Sequence, residues 1–292
     1  MENIEIAGTY RAQWGEGPIW WENRLLYVDI EAHQLLEYDP SSKRESSWNV
    51  TSSVGRIGTV VPRSCPGPEG NLLIAGDTGI HFFNQSTNQS TAIGDPEADL
   101  PDNRFNDGKC SPDGRLFAGT ISTIKKSGSA ALYRLDTDLS IHTAYAGVTN
   151  SNGIVWSKDN STCYYIDTPR QEVLAFDYSS ETGELSALRT AFRTDHIDGS
   201  PDGMSIDCDD KLWIAFCHGA CVVCFDPHSG KQLHRVDLPC METTACAFGG
   251  ENLDELFVTT GIHKNIEEPD AGRLLCITGL GVTGVTSNSF RG

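Results

Sequence analysis

Positive charge is scarce in this chain: 22 lysines and arginines stand against 40 aspartates and glutamates, for a formal net charge of −18. Such a surplus repels nucleic-acid phosphates and anionic membrane surfaces, so neither is an expected partner, whereas a bound cation is easily accommodated. Long apolar runs are missing too, and no stretch could span a bilayer. The segment Met1 to Ile6 has neither the basic start nor the apolar core of an export signal, which makes the cytosol the expected location. No serine-nucleophile elbow and no phosphate loop occurs, and helical periodicity of useful length is absent. What remains is a chain of short strands.

Ten cysteines are present, and Cys163, Cys208, Cys221, Cys224, Cys246 and Cys276 read as alternating strand positions where a small buried hydrophobe would serve. Without an export route they are expected to be reduced thiols. The same reasoning turns the glycosylation-like triplets at Asn49, Asn84, Asn88 and Asn160 into surface turns. The run Cys217-His218-Gly219-Ala220-Cys221-Val222-Val223-Cys224 has zinc-ligand residue types. A hairpin turn is expected at Gly219-Ala220, and Cys221 and Cys224 have opposite strand parity, so this run is not expected to close on zinc.

Within the chain one strand pattern returns six times, from Leu26-Tyr27-Val28-Asp29 to Leu256-Phe257-Val258-Thr259. Its second residues fall at 27, 73, 117, 165, 213 and 257, giving steps of 46, 44, 48, 48 and 44. A β-rich repeat of that period signals a propeller. Six repeats of about four strands use nearly all 292 residues. The expectation is therefore an all-β, six-bladed β-propeller with four antiparallel strands per blade, one domain over residues 1–292. Turn formers such as Pro112-Asp113-Gly114 and Lys158-Asp159-Asn160 mark hairpins between inner strands. Ile4 to Tyr10 is suited to pairing beside the last repeat and closing the ring. Two irregular loops, Thr123 to Ala130 and Ile262 to Ala271, are candidates for substrate contact.

The phase of polar residues inside the repeat points to a site. Glu16, Asn106 and Asp202 each lie 11 residues before their anchors, and Asn152 lies 13 before Tyr165. Equal phase in a propeller means equal depth on the axis, so these four oxygen-bearing side chains are expected at one mouth of the central channel. Glu16, Asn152 and Asp202 offer two carboxylates and an amide carbonyl, with no sulfur or imidazole. Such hard ligands suit calcium, magnesium or manganese, with zinc a less natural alternative. Three protein ligands leave positions open for water and substrate.

Trp14-Gly15-Glu16-Gly17-Pro18, Asn103-Arg104-Phe105-Asn106-Asp107-Gly108-Lys109, Ser151-Asn152-Gly153, Tyr164-Tyr165-Ile166-Asp167, Pro201-Asp202-Gly203-Met204 and Phe248-Gly249-Gly250 occur in that order. With the ending Ile277-Thr278-Gly279-Leu280-Gly281-Val282, they resemble the senescence-marker-protein, gluconolactonase and luciferin-regenerating-enzyme superfamily, especially its regucalcin-like members. The resemblance implies a six-bladed propeller with one catalytic divalent metal and lactonase activity on sugar lactones, small-molecule substrates. It assigns Glu16, Asn152 and Asp202 to the metal and Arg104 and Asn106 to the substrate. In some members the residue matching Asn106 reaches the metal. Arg104 rests on the resemblance alone.

A lactone needs a polarised carbonyl, an activated water and stabilisation of the tetrahedral oxyanion. A cation serves the first and third and acidifies its water, while Asp202 is the expected base. The competing expectations are hydrolysis of another ester, including organophosphate-type or luciferin-related substrates, and a noncatalytic calcium-binding regulator. One departure bears on substrate. Members of the superfamily commonly carry an acid after the Ala-Gly-Thr strand, but here Thr120 is followed by Ile121-Ser122-Thr123-Ile124-Lys125-Lys126.

Overall fold

Turn chemistry sets the hairpins of this fold. Asn23, Gly114, Asn160 and Asp210 all take left-handed backbone between paired strands, a conformation that Gly, Asn and Asp reach at little cost. Asp159 and Asp207 reinforce two of these turns by accepting the Ser161 N–H at 3.0 Å and the Asp209 N–H at 2.9 Å. The computed structural model describes residues 2–292.

After the exposed edge strand β1 (Asn3–Ile6), the strands run in blade order. The first blade holds β2 (Gly15–Trp21), β3 (Arg24–Asp29), β4 (Gln34–Asp39) and β5 (Arg44–Asn49). The second holds β6 (Ile57–Gly67), β7 (Gly70–Gly76), β8 (Gly79–Asn84) and β9 (Gln89–Gly94). The third holds β10 (Asn103–Cys110), β11 (Leu116–Ser122), β12 (Ala130–Leu135) and β13 (Ile141–Val148). In the fourth are β14 (Ser151–Trp156), β15 (Thr162–Asp167), β16 (Glu172–Tyr178) and β17 (Leu185–Arg193). In the fifth are β18 (Ser200–Ile206), β19 (Leu212–Cys217), β20 (Cys221–Phe225) and β21 (Gln232–Asp237). The sixth combines β22 (Thr243–Gly249), β23 (Glu255–Thr260) and β24 (Leu275–Thr278) with β1, which pairs antiparallel to β24. The expected closure of the ring by the N-terminal segment is thus observed.

Every blade is a four-stranded antiparallel sheet. The innermost strands β2, β6, β10, β14, β18 and β22 each pack on the next, and β22 packs on β2. This is a six-bladed β-propeller. Its core lies between neighbouring blades, where aromatic rings bridge sheets: Trp20 stacks on Phe257 at 5.5 Å, and Trp213 meets Phe248 edge-on at 5.8 Å. The outer strands β5, β13, β17 and β21 are mostly half-buried or exposed.

Among the described residues, the departure from strands and turns is a short 3-10 helix at Thr168–Arg170. No helix of these residues is long and apolar enough to cross a membrane. All ten cysteines are free thiols. Cys163, Cys221, Cys224 and Cys246 are buried, but Cys208, expected on a strand, lies in the turn after β18 and is half-buried. Cys221 and Cys224 do face opposite sides of their blade, joining separate core clusters.

Candidate metal centre and active site

The innermost strands share one irregularity that aims the polar side chains. Register breaks between Glu16 and Ile19 in β2, Phe105 and Gly108 in β10, Ser151 and Ile154 in β14, and Pro201 and Met204 in β18. The remaining two inner strands break around Gly58 and Thr244. A bulge leaves a residue out of the ladder and turns its side chain. Asn106, Asn152 and Asp202 occupy these bulges, whereas Glu16 borders its own and sits one register position ahead. Glu carries one methylene more than Asp or Asn, which extends its reach.

Register also accounts for the odd spacing of Asn152. Ile154 pairs with Tyr165 two residues after Asn152, as Gly108 pairs with Ala118 two residues after Asn106. The two asparagines are therefore equivalent. The count of 13 reflects a hairpin one residue longer and an anchor one residue further along.

All four side chains are buried: Glu16, Asn106, Asn152 and Asp202. The Asn106 amide nitrogen donates to Asn152 Oδ1 at 3.0 Å and to the Ser151 carbonyl at 2.7 Å. Asn152 Nδ2 donates to Thr168 Oγ1 at 2.7 Å, and that hydroxyl donates to the Pro201 carbonyl at 3.0 Å. This chain of bonds fixes the orientation of the Asn152 amide and ties it to the strand that carries Asp202. Arg104 Nη1 donates to Asn106 Oδ1 at 2.9 Å and to the Phe105 carbonyl at 2.8 Å, while its Nε is buried without a partner.

The electrostatics are those of stranded negative charge. Burial, with Asp107 beside it, pushes Glu16 up to about 8 from an ordinary 4.5, although the Gly17 N–H, Arg104 and Lys109 work against the shift. Burial and the Glu16, Asp107 and Glu242 carboxylates raise Asp202 well above its usual range. Burial also raises Asp107. Burial and the nearby Arg56 hold Arg104 down to about 10. Lys109 hydrogen-bonds the Met204 carbonyl from across the axis. Too few cations face these carboxylates, and oxygen donors dominate, so the residues fit a hard divalent cation.

Asp107 lies one position beyond the phase residue Asn106, so the repeat does not signal it. Glu97 carried no signal at all: it arrives from the connection between β9 and β10, and its Oε1 accepts Thr120 Oγ1 at 3.0 Å and the Tyr133 hydroxyl at 2.9 Å. An acid therefore does reach the strand after Gly119, from a different segment than expected. Lys125 and Lys126 are exposed in the loop between β11 and β12, at the end of the propeller where Ser122 pairs with Asn103.

The end away from the polar cluster is floored by the C-terminal tail. Cys208 N–H bonds the Thr283 carbonyl at 2.9 Å, Phe290 N–H bonds the Pro62 carbonyl at 2.8 Å, and Arg291 N–H bonds the Gly114 carbonyl at 3.0 Å. A cavity of about 350 Å³ lies there, between residues 285–288 and the lower inner strands. It contains none of the four bulge-associated residues.

Comparison with known proteins places this geometry in context. The family model described as the SMP-30/gluconolactonase/LRE-like region matches residues 14–262. Regucalcin of Danio rerio is 39% identical over 298 residues, covering 99% of this chain and 98% of its own. A Bacillus subtilis (strain 168) protein provisionally named sugar lactone lactonase YvrE is 35% identical, over 94% of each chain. Among solved structures, a luciferin-regenerating enzyme superposes with a TM-score of 0.90 at 27% identity, over 100% of both chains.

Proposed function

The chain belongs to the SMP-30/gluconolactonase/LRE-like family, and from that premise we propose that it is a divalent-metal-dependent hydrolase of sugar-acid lactones. The observation that carries this reading is the buried cluster of Glu16, Asn152 and Asp202 with the linked pair Arg104 and Asn106 at its edge. A protein that only sensed a cation would have no use for a guanidinium whose Nε is left unpaired beside the oxygen ligands.

Glu16, Asn152 and Asp202 would hold the cation, which would polarise the lactone carbonyl, stabilise the oxyanion and acidify a water. Asp202 accepts the proton of the attacking water as the new carbon–oxygen bond forms. Its buried carboxylate, on the inner strand at the mouth, is placed to take that proton. As the ring carbon–oxygen bond breaks, Asp202 returns the proton to the leaving oxygen, so the product is the open hydroxy acid. Arg104 and Asn106 orient ring hydroxyls. The long loops 123–129 and 261–274 border the same end and set which lactone fits.

This reading takes residues 1–292 as one functional unit, with calcium, magnesium or manganese as the cation. It takes the cytosol as the setting, in keeping with ten unpaired thiols. The test is metal-stripped protein restored separately with calcium, magnesium, manganese and zinc, assayed against aldonolactones and simple aryl esters. Turnover of aldonolactones that depends on added metal is the expected result. Cation binding without turnover of any lactone would make the protein a binding protein, and turnover of esters alone would move the substrate class.

A further inference from the structure

Near the axial cluster stands a second one, chemically unlike it. Cys217 ends β19, His218 follows it in the turn to β20, and Glu242 directly precedes β22. Their ligand atoms all lie within 4.8 Å of one another. Glu242 Oε2 accepts the Cys217 thiol at 3.1 Å and stands 2.8 Å from His218 Nδ1. We propose that Cys217, His218 and Glu242 form a second divalent-metal site, of the zinc class, at the junction of the fifth and sixth blades.

Donor chemistry and geometry both point that way. One thiolate, one imidazole and one carboxylate make the mixed sulfur, nitrogen and oxygen set that suits zinc and cobalt(II), and the oxygen-rich axial set does not. With bonds of roughly 2.0–2.3 Å, neighbouring ligands of a tetrahedral zinc lie roughly 3.3–3.8 Å apart. The observed 2.8 and 3.1 Å separations need to open by only about half an ångström to reach that spacing. The proton now shared between Cys217 and Glu242 leaves to solvent as the metal binds.

The scaffold is already in place. Cys217 and Glu242 form a backbone bridge across the blade junction, and the Glu242 carbonyl accepts the Gly261 N–H at 2.9 Å. His263 Nδ1 is occupied by the Asn265 N–H, which leaves Nε2 facing Glu242 Oε1 at 3.8 Å and Oε2 available to a metal. The Glu242 side chain is only 2% exposed, whereas that of His218 is 55% exposed, so the buried charge lies within reach of solvent through the histidine. Burial and the Asp202 and Glu242 carboxylates hold the Cys217 thiol protonated, which removes it as a free nucleophile. Three protein ligands leave a fourth position open.

The test is titration of reduced, air-free protein with cobalt(II) chloride in excess magnesium, which competes with cobalt for the axial oxygen set. The expected result is one equivalent of tightly bound cobalt with tetrahedral visible bands and a thiolate-to-cobalt charge-transfer band. Cys65→Ser, which removes the exposed thiol, and Glu16→Gln should keep that band. Cys217→Ser should lose it, and His218→Ala, at an exposed position, should weaken cobalt binding at least tenfold. Absence of the band in the wild type, its persistence in Cys217→Ser, or unchanged affinity in His218→Ala would each overturn the site and leave a hydrogen-bonded triad. If Cys217→Ser does not fold, His218→Ala and Glu242→Gln decide the matter by affinity. The band reports a thiolate, which the axial set lacks, so this result is independent of lactone turnover.

Discussion

Asp202 concentrates two roles in one carboxylate, as ligand and as base. Asp202→Asn keeps an oxygen donor of the same size and removes the basicity, so turnover should fall about 10²- to 10⁴-fold while metal still binds. Calorimetric metal titration beside kcat separates the two effects, and wild-type turnover in a metal-loaded Asn variant would remove Asp202 as the base. Glu16 gives a pH prediction for the metal-free protein. Its carboxyl is raised from 4.5 to about 8, and Asp202 is raised too, so folding favours their protonated forms. That stabilisation is complete below about pH 4.5 and is lost as pH climbs through about 8. A bound divalent cation offsets the buried charge, so the gap in Tm between metal-loaded and metal-free protein should widen across this window. Glu16→Gln should flatten the metal-free profile, and a metal-free Tm that does not fall between those pH values would contradict the assignment.

At the level of the element, the inner-strand bulges do the aiming, and they depend on close approach of neighbouring strands. Gly58 in β6 shows how close. A Cβ there would lie 2.2 Å from the Asn106 carbonyl oxygen and 2.5 Å from its Cα, backbone atoms that cannot rotate away. Gly58→Ala should therefore push β10 outward, breaking the 3.0 Å contact between Asn106 and Asn152. Expected outcomes are at least a tenfold loss in kcat/KM and destabilisation of about 1–3 kcal/mol by overpacking, read by lactone kinetics and urea unfolding. The loop bearing Lys125 and Lys126 offers a milder case. An exposed lysine contributes at most about 1 kcal/mol to an anionic substrate. The Lys125→Ala, Lys126→Ala double variant should change the ratio of kcat/KM for anionic over neutral lactones only several-fold, and less at high salt. An unchanged ratio would assign both lysines to solvent.

On the scale of the whole molecule, two chain ends close the structure in different ways. β1 adds only an exposed edge to the sixth blade, whereas the tail after β24 crosses beneath the ring and buries Phe290 completely in the core cluster shared by the first three blades. Phe290→Ala leaves a cavity there and should cost about 3–5 kcal/mol in urea unfolding. It lies at the end away from the polar cluster, so metal affinity and kcat should hold at temperatures where the variant is folded. A large loss of metal affinity in the folded variant would show that the tail is coupled to the mouth.

The sequence by itself determined the repeat, because strands of a propeller blade are local: each pairs with its chain neighbour, and turn residues such as Asn160 and Gly114 declare the hairpins. It also pointed to one end of the ring for Glu16, Asn106, Asn152 and Asp202, since residues at nearly matching positions of different repeats face one axis at similar depth. Only the tertiary structure decided what lies across blade boundaries. Glu242 stands 15 residues before Phe257, outside the repeating phase, and meets Cys217 because the fifth and sixth blades abut. Glu97 reaches Thr120 from an inter-blade connection, and Phe290 inserts under distant blades. Contacts of this kind are set by how sheets pack around the ring, and no periodicity within a blade encodes them.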